Sequence, residues 1–160
     1  MLRKYNYLGE EIEGKRVELI SEEYGYYDGD KLVVNWDEES DLVDGRGFDK
    51  GNIEPGGKYT ENVELPKGTR ICRYGTEFGK LTTLVGTKYE KLGLPYRKET
   101  IEYHEYVVIA DGISVRCIVT KGRVARMFGS EGGAIQFLHH RTIMEELNTY
   151  RLKEVYEWRK

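Results

Sequence analysis

The chain has 160 residues, of which 39% are apolar and 33% charged, with a formal net charge of −3. That length is enough for one hydrophobic core. The interspersed charge offers no basic face of the nucleic-acid-binding kind, and no apolar run approaches the ~20 residues of a membrane span. Met1-Leu2-Arg3-Lys4 is not followed by a signal-peptide core. Nineteen glycines stand against three prolines, and thirteen tyrosines against four phenylalanines. So many glycines imply many turns or close backbone approaches, and tyrosine suits either half-buried strand positions or a cleft for a ring-bearing ligand.

In chain order, residues 1–60 are polar and weakly patterned. Arg16 to Ile20 and Lys31 to Trp36 read as short strands, with turn chemistry in Tyr26 to Asp30 between them. Asp37 to Asp49 reads as a long acidic loop whose aspartates do not fit the usual calcium-loop spacing. Arg70 to Gly75 reads as a strand entered through the turn Pro66-Lys67-Gly68. Tyr103 to Ile109, β-branched and aromatic, and the alternating run Ile113 to Val119 are expected to pair as a hairpin about Asp111-Gly112. A further turn at Lys121-Gly122 leads towards Gly129-Ser130-Glu131-Gly132-Gly133-Ala134. From His140 onward Ile143, Leu147, Tyr150, Val155 and Trp158 recur at helical spacing, which predicts an amphipathic C-terminal helix over 140–160. The whole reads as one α+β domain over 1–160, with a mostly antiparallel β core at 62–138 and few helices.

Cys72 and Cys117 are too few and too scattered for a zinc or disulfide framework, and are expected to be small core residues. Three clusters carry candidate chemistry. Arg73, on a strand just before Gly75, could clamp a phosphate with its planar guanidinium, or form a surface ion pair. In Tyr103-His104-Glu105-Tyr106, alternation puts His104 and Tyr106 on one face and Tyr103 and Glu105 on the other. His104 could serve a phosphate or ribose hydroxyl, or be structural. In the third cluster, adjacent glycines Gly132 and Gly133 let backbone approach a ligand or form a plain β-turn, and Gln136, pointing opposite to Ile135 and Phe137, faces a cleft or solvent.

Taken in order, Leu65 to Thr69, Arg73-Tyr74-Gly75, Gly86-Thr87-Lys88-Tyr89-Glu90, Leu94-Pro95, Tyr103 to Tyr106 and Phe128 to Phe137 resemble the TNT (tuberculosis necrotizing toxin) family of NAD(P)+ glycohydrolase domains. The resemblance covers about residues 62–138. It implies that Arg73 and Gln136 are essential, that His104 also takes part, and that the substrate is NAD+ or NADP+ with no separate cofactor and no metal. It also implies a toxin delivered in a larger secreted protein to act in a target cytosol, with a cognate immunity protein, and leaves hydrolysis and cyclisation both open. The chain departs from the family pattern in places. Cys72 stands where an aspartate is usual, Arg126-Met127 replaces a common Pro-Trp, and Leu81 lies near a usual aromatic.

The chemistry suits these residue types. Nicotinamide leaves as a neutral molecule, so no acid has to protonate it, and half the usual two-carboxylate apparatus of glycoside hydrolysis is dispensable. What remains is to orient the ribose and stabilise an oxocarbenium-like transition state. In the expected site Arg73 holds the pyrophosphate and Gln136 holds a ribose hydroxyl or the attacking water. Tyr74 and Phe128 offer stacking faces, Gly132 and Gly133 offer backbone, and Glu131 could offset positive charge or simply be solvated. Two rival readings remain: a toxin-like ribonuclease using His104, His139 or His140 with Arg73 and Glu131, and a non-catalytic nucleotide-binding module.

Overall fold

The computed structural model describes residues 16–35 and 59–156. The acidic stretch 37–49, with its aspartates, and Trp158 lie outside these residues. Two antiparallel sheets are present among the described residues. Strands β1 (Gly25–Asp28) and β2 (Lys31–Val34) form a hairpin about Gly29-Asp30. Gly29 has φ 61°, the left-handed conformation that glycine adopts at no steric cost. The larger sheet comprises β3 (Thr60–Glu64), β4 (Arg70–Tyr74), β5 (Leu81–Leu84), β6 (Tyr103–Val108), β7 (Ile118–Arg123), β8 (Ile135–His139) and β9 (Leu152–Val155). Their spatial order is β3-β7-β8-β5-β4-β6-β9, antiparallel throughout. With one α-helix among the described residues, α1 (Ile143–Asn148), the fold is α+β and mostly antiparallel.

Several sequence expectations need correction. Residues 16–20 form no strand. Leu19 makes an isolated bridge to Tyr96, and the Ile20 and Arg97 amides donate to Pro95 O and Glu18 O at 2.8 and 2.7 Å. The hairpin partner of β2 is therefore the tyrosine segment expected to be a turn. β6 and β7 do not pair either, because β4, β5 and β8 lie between them. The chain leaves β6 through a loop in which the Asp111 carboxylate accepts from the amides of Ile113, Ser114 and Val115. That side-chain-capped turn supplies the partners a tight hairpin would have drawn from the opposite strand. Nor does Lys121-Gly122 turn the chain. Both residues lie within β7, paired with Phe137 and Gln136.

The predicted C-terminal helix is present but stops at Asn148. Thr142 accepts from the Glu145 amide at 3.1 Å, and the Glu145 carboxylate accepts from the Thr142 amide at 3.2 Å, a reciprocal capping box. The helical period fails at Tyr150, which is exposed and has φ 57°. Beyond it Leu152 is buried and β9 pairs with the outer edge of β6. Ladder bonds along an otherwise unpaired edge outweigh the weak helical preference of a short segment.

Cross-strand register assigns each side chain to a face. Ile71, Tyr106, Val108, Val119 and Phe137 point to one face, where Leu65, Ile143 and Leu152 complete a core. The opposite face carries a second core of Tyr89, Leu92, Ile101, Val124, Met127 and Phe128, against which Val17, Tyr24 and Val34 of the N-terminal hairpin region pack. No helix among the described residues is long and apolar enough to cross a membrane.

Candidate functional site

A hollow of about 410 Å3, including the solvent space at its mouth, opens over β4, β5 and β8. The wall is mostly apolar, with Leu81, Leu92, Leu94 and Val124, and its polar members include Arg73, Thr83 and Gln136. Cys72, Thr83 and Gln136 are successive partners across the three strands, so their side chains form one row on one face. The Thr83 hydroxyl donates to Ile135 O at 2.6 Å, which pins the middle of that row. Gln136 is 8% exposed and stands at the end of it.

Arg73 lines the same hollow, but as the neighbour of Cys72 it leaves β4 on the opposite face, with His104 as its cross-strand partner. Its guanidinium folds along the loop after β4, where Nε donates to Thr76 O at 2.6 Å and Nη1 to Leu81 O at 2.9 Å. Burial lowers its pKa, while Tyr106 and the Glu102 carboxylate pull the other way. Two glycines make room for the group. A Cβ added at Gly79 would collide with Nη2 and Cζ and stand 2.9 Å from Nη1, and one at Gly75 would stand 3.2 Å from Nη2. Tyr74 completes the aromatic part of the wall, packed edge-on against Tyr89 and tilted against Tyr103, both with ring centroids 4.8 Å away.

The other sequence candidates lie elsewhere among the described residues. His104 sits between two carboxylates, with Nδ1 2.9 Å from Glu154 and Nε2 3.0 Å from Glu102. Burial alone would lower its pKa, but these two bonds outweigh that and push it up to about 9. It is therefore an imidazolium near neutral pH, with no free ring nitrogen to act as a base. As predicted, Tyr106 shares its face, stacked with ring centroids 6.0 Å apart, while Tyr103 donates to Glu105 on the other. Phe128 is buried in the second core, edge-on to Tyr24 at 5.3 Å. Glu131 is exposed and paired with Lys91. Gly132 and Gly133 are used for backbone packing. A Cβ at Gly132 would lie 2.6 Å from the carbonyl oxygens of Val124 and Ala125, and the Gly133 amide donates to Val124 O at 2.8 Å. Their close approach is to the protein's own chain, not to the hollow.

The His104 cluster makes stability depend on pH. The folded pKa of about 9 lies above the ~6.5 of an unperturbed histidine. The stabilisation is thus fully present below about pH 6.5 and is lost as pH rises through 9, a difference on the order of 3 kcal/mol. Chemical denaturation at pH 6.5 and pH 9.5 should show this loss, and His104→Gln should flatten the profile over that window.

Sequence reasoning missed Thr83 and Cys72 as wall residues, although strand alternation with Gln136 would have placed them once the pairing was known. It also missed that His139 and Glu146 meet Cys117 in the core beneath α1.

The family model for tuberculosis necrotizing toxin (TNT) matches residues 64–155. No curated protein matches the chain. A solved structure of tuberculosis necrotizing toxin complexed with its immunity factor IFT is similar at 18% identity and a TM-score of 0.46. The similarity covers 69% of this chain and 65% of that one, so the chain spans less than two thirds of that protein's length. Since the family match runs from the end of β3 through β9 and takes in more than half of all residues, this chain belongs to the tuberculosis necrotizing toxin family.

Proposed function

We propose that the protein cleaves the bond between nicotinamide and ribose in NAD+, with NADP+ as a second candidate substrate. The observation that carries this reading is the hollow whose wall includes Arg73, Tyr74 and Gln136 together. In the proposed complex the neutral Gln136 carboxamide holds a ribose hydroxyl or the incoming water, and does so at any pH. Arg73 supplies positive charge for the pyrophosphate, and Tyr74 offers a flat apolar surface to a ring. Phe128 and Glu131 have no part in this proposal, one being core and the other an exposed ion pair.

Water breaks the glycosidic bond as nicotinamide leaves with the bonding electron pair, becoming neutral, and ADP-ribose and one proton are released. Binding energy from the pyrophosphate end positions the anomeric carbon, so that remote contacts accelerate the reaction. His104 is a positioning residue in this scheme. Paired across the ladder with Arg73 and clamped by Glu102 and Glu154, it stiffens the strand that carries the arginine. The ribonuclease reading loses two of its three histidines to the same geometry, since the largely covered His104 and the buried His139 are each paired with carboxylates, which leaves it the exposed His140. Membership of a toxin family extends the proposal to a cognate inhibitory protein.

Chromatography of products after incubation of the protein with NAD+, and separately with NADP+, tests the reading. Nicotinamide is expected in equal amounts with ADP-ribose from NAD+, or with ADP-ribose 2′-phosphate from NADP+. Cyclic ADP-ribose in place of ADP-ribose would mean that the adenine ring had taken the place of water. NAD+ recovered intact while calorimetry registers binding would establish a non-catalytic module instead.

A further inference from the structure

On the helix-covered face of the sheet, away from the row that ends in Gln136, three ligand-type side chains meet in the core. Cys117 Sγ lies 3.1 Å from Glu146 Oε2 and 3.9 Å from His139 Nδ1, and His139 Nδ1 lies 3.2 Å from the same carboxylate oxygen. All three residues are buried, and their ligand atoms form a compact group. We propose that Cys117, His139 and Glu146 bind a zinc-type divalent cation as a structural site that ties α1 to β7 and β8.

The separations themselves carry the argument. Three atoms spaced this way lie on a circle of radius about 2.0 Å, so a cation at or just off its centre meets all three at the ~2.0–2.3 Å of zinc bonds to nitrogen, oxygen and sulfur. The second nitrogen of His139 is already engaged, 2.7 Å from the Thr82 hydroxyl. A ring that donates from Nε2 to Thr82 presents a bare Nδ1 to the other two ligands, the second contact that metal-binding histidines characteristically have.

A purely hydrogen-bonded cluster leaves one group unsatisfied. Glu146 Oε1 is buried with no hydrogen-bond partner, and its nearest cation, Arg141 Nη1, stands 3.9 Å away on a partly exposed side chain. An unpaired buried acceptor costs about 1–3 kcal/mol. A cation bound by both oxygens of that carboxylate satisfies Oε1 and completes a four-donor set of one sulfur, one nitrogen and two oxygens. The charges also balance, because thiolate and carboxylate together neutralise a divalent ion. Binding releases the Cys117 thiol proton to solvent. A soft sulfur with an imidazole and a carboxylate favours zinc over calcium or magnesium, which take oxygen ligands. The set is closed, so its role is to hold the fold together and not to activate water.

The test is refolding of the full-length chain with one equivalent of Co2+, which keeps zinc's ligands and makes them visible. A thiolate-to-cobalt charge-transfer band saturating at one equivalent is expected, and zinc should displace it while raising the thermal midpoint by several degrees. Cys72→Ser should keep the band, and Cys117→Ser should lose it. Absence of any charge-transfer band in the wild-type and Cys72→Ser proteins, or a band that survives Cys117→Ser, would overturn the site. If Cys117→Ser does not fold, the wild-type and Cys72→Ser titrations still decide the matter.

Discussion

If the proposed activity is right, Gln136→Ala is expected to lower NAD+ turnover by on the order of 100- to 1,000-fold, the usual cost of removing one preorganised polar group from a reacting centre. The fold survives, because Gln136 points to the hollow while its neighbours Ile135 and Phe137 pack on the helix-covered core. Deleting the carboxamide leaves β8 paired with β5 and β7, so the stability cost stays near 1 kcal/mol. Steady-state kinetics of the purified variant beside its thermal unfolding curve make the measurement. A fall in kcat with little change in KM is the signature of a contact made chiefly in the transition state. Turnover within a few-fold of wild type in a folded Gln136→Ala protein would remove the carboxamide from the chemistry and the proposed activity with it.

The second large effect is expected from a residue that touches no substrate. Gly79 lies against the Arg73 guanidinium, and a methyl group there would force the guanidinium off its bonds to Thr76 O and Leu81 O. Gly79 is not among the residues with positive φ, so alanine meets no backbone penalty. Gly79→Ala is therefore a cleaner probe than Arg73→Ala, which deletes two charge-assisted bonds worth about 1.5–3 kcal/mol each and unsettles the loop as well as the charge. Displacing a substrate-positioning charge by about 1 Å can cost on the order of 100-fold in rate, and a loss of that size is predicted for Gly79→Ala. Activity assays of Gly79→Ala and, as a control, Gly68→Ala check it. Gly68 has φ 94° with open space around it, so its variant pays in stability without touching Arg73. Equal turnover in the Gly79 and wild-type proteins would mean that the observed guanidinium position is irrelevant to catalysis.

Reading Arg73 as one member of a shared site was possible from the linear order of motifs, but its orientation was not. Both Arg73 and Gln136 line the hollow, yet one leaves the sheet on each face. Alternation along a strand can be read from sequence, as it was for His104 and Tyr106 on one side and Tyr103 on the other. Relating the faces of two strands requires their register. The strands that carry residues 73 and 136 are joined through β5, a strand that the sequence reading did not single out.

What the amino-acid sequence determined by itself is local or ordered along the chain. The turn into β4, the alternation in β6, the opposed directions of Gln136 and Phe137 and the start of α1 follow from residue types over a few positions. The succession of motifs from Leu65 to Phe137 was enough to indicate the family that the match over 64–155 establishes. Tertiary structure alone decided which strands pair, where the helix stops, and which buried groups meet. Tyr103–Val108 found its partners in β4 and β9 instead of the next strand, and the segment after Asn148 joined a sheet edge in place of prolonging the helix. Cys117, His139 and Glu146, separated along the chain by 22 and 7 residues, are neighbours only because β7, β8 and α1 converge. The physical reason is common to all three cases. Strand pairing and core packing are settled by hydrogen bonds and contacts between distant residues, and a propensity of a few tenths of a kcal/mol per position does not specify which distant residue will be there.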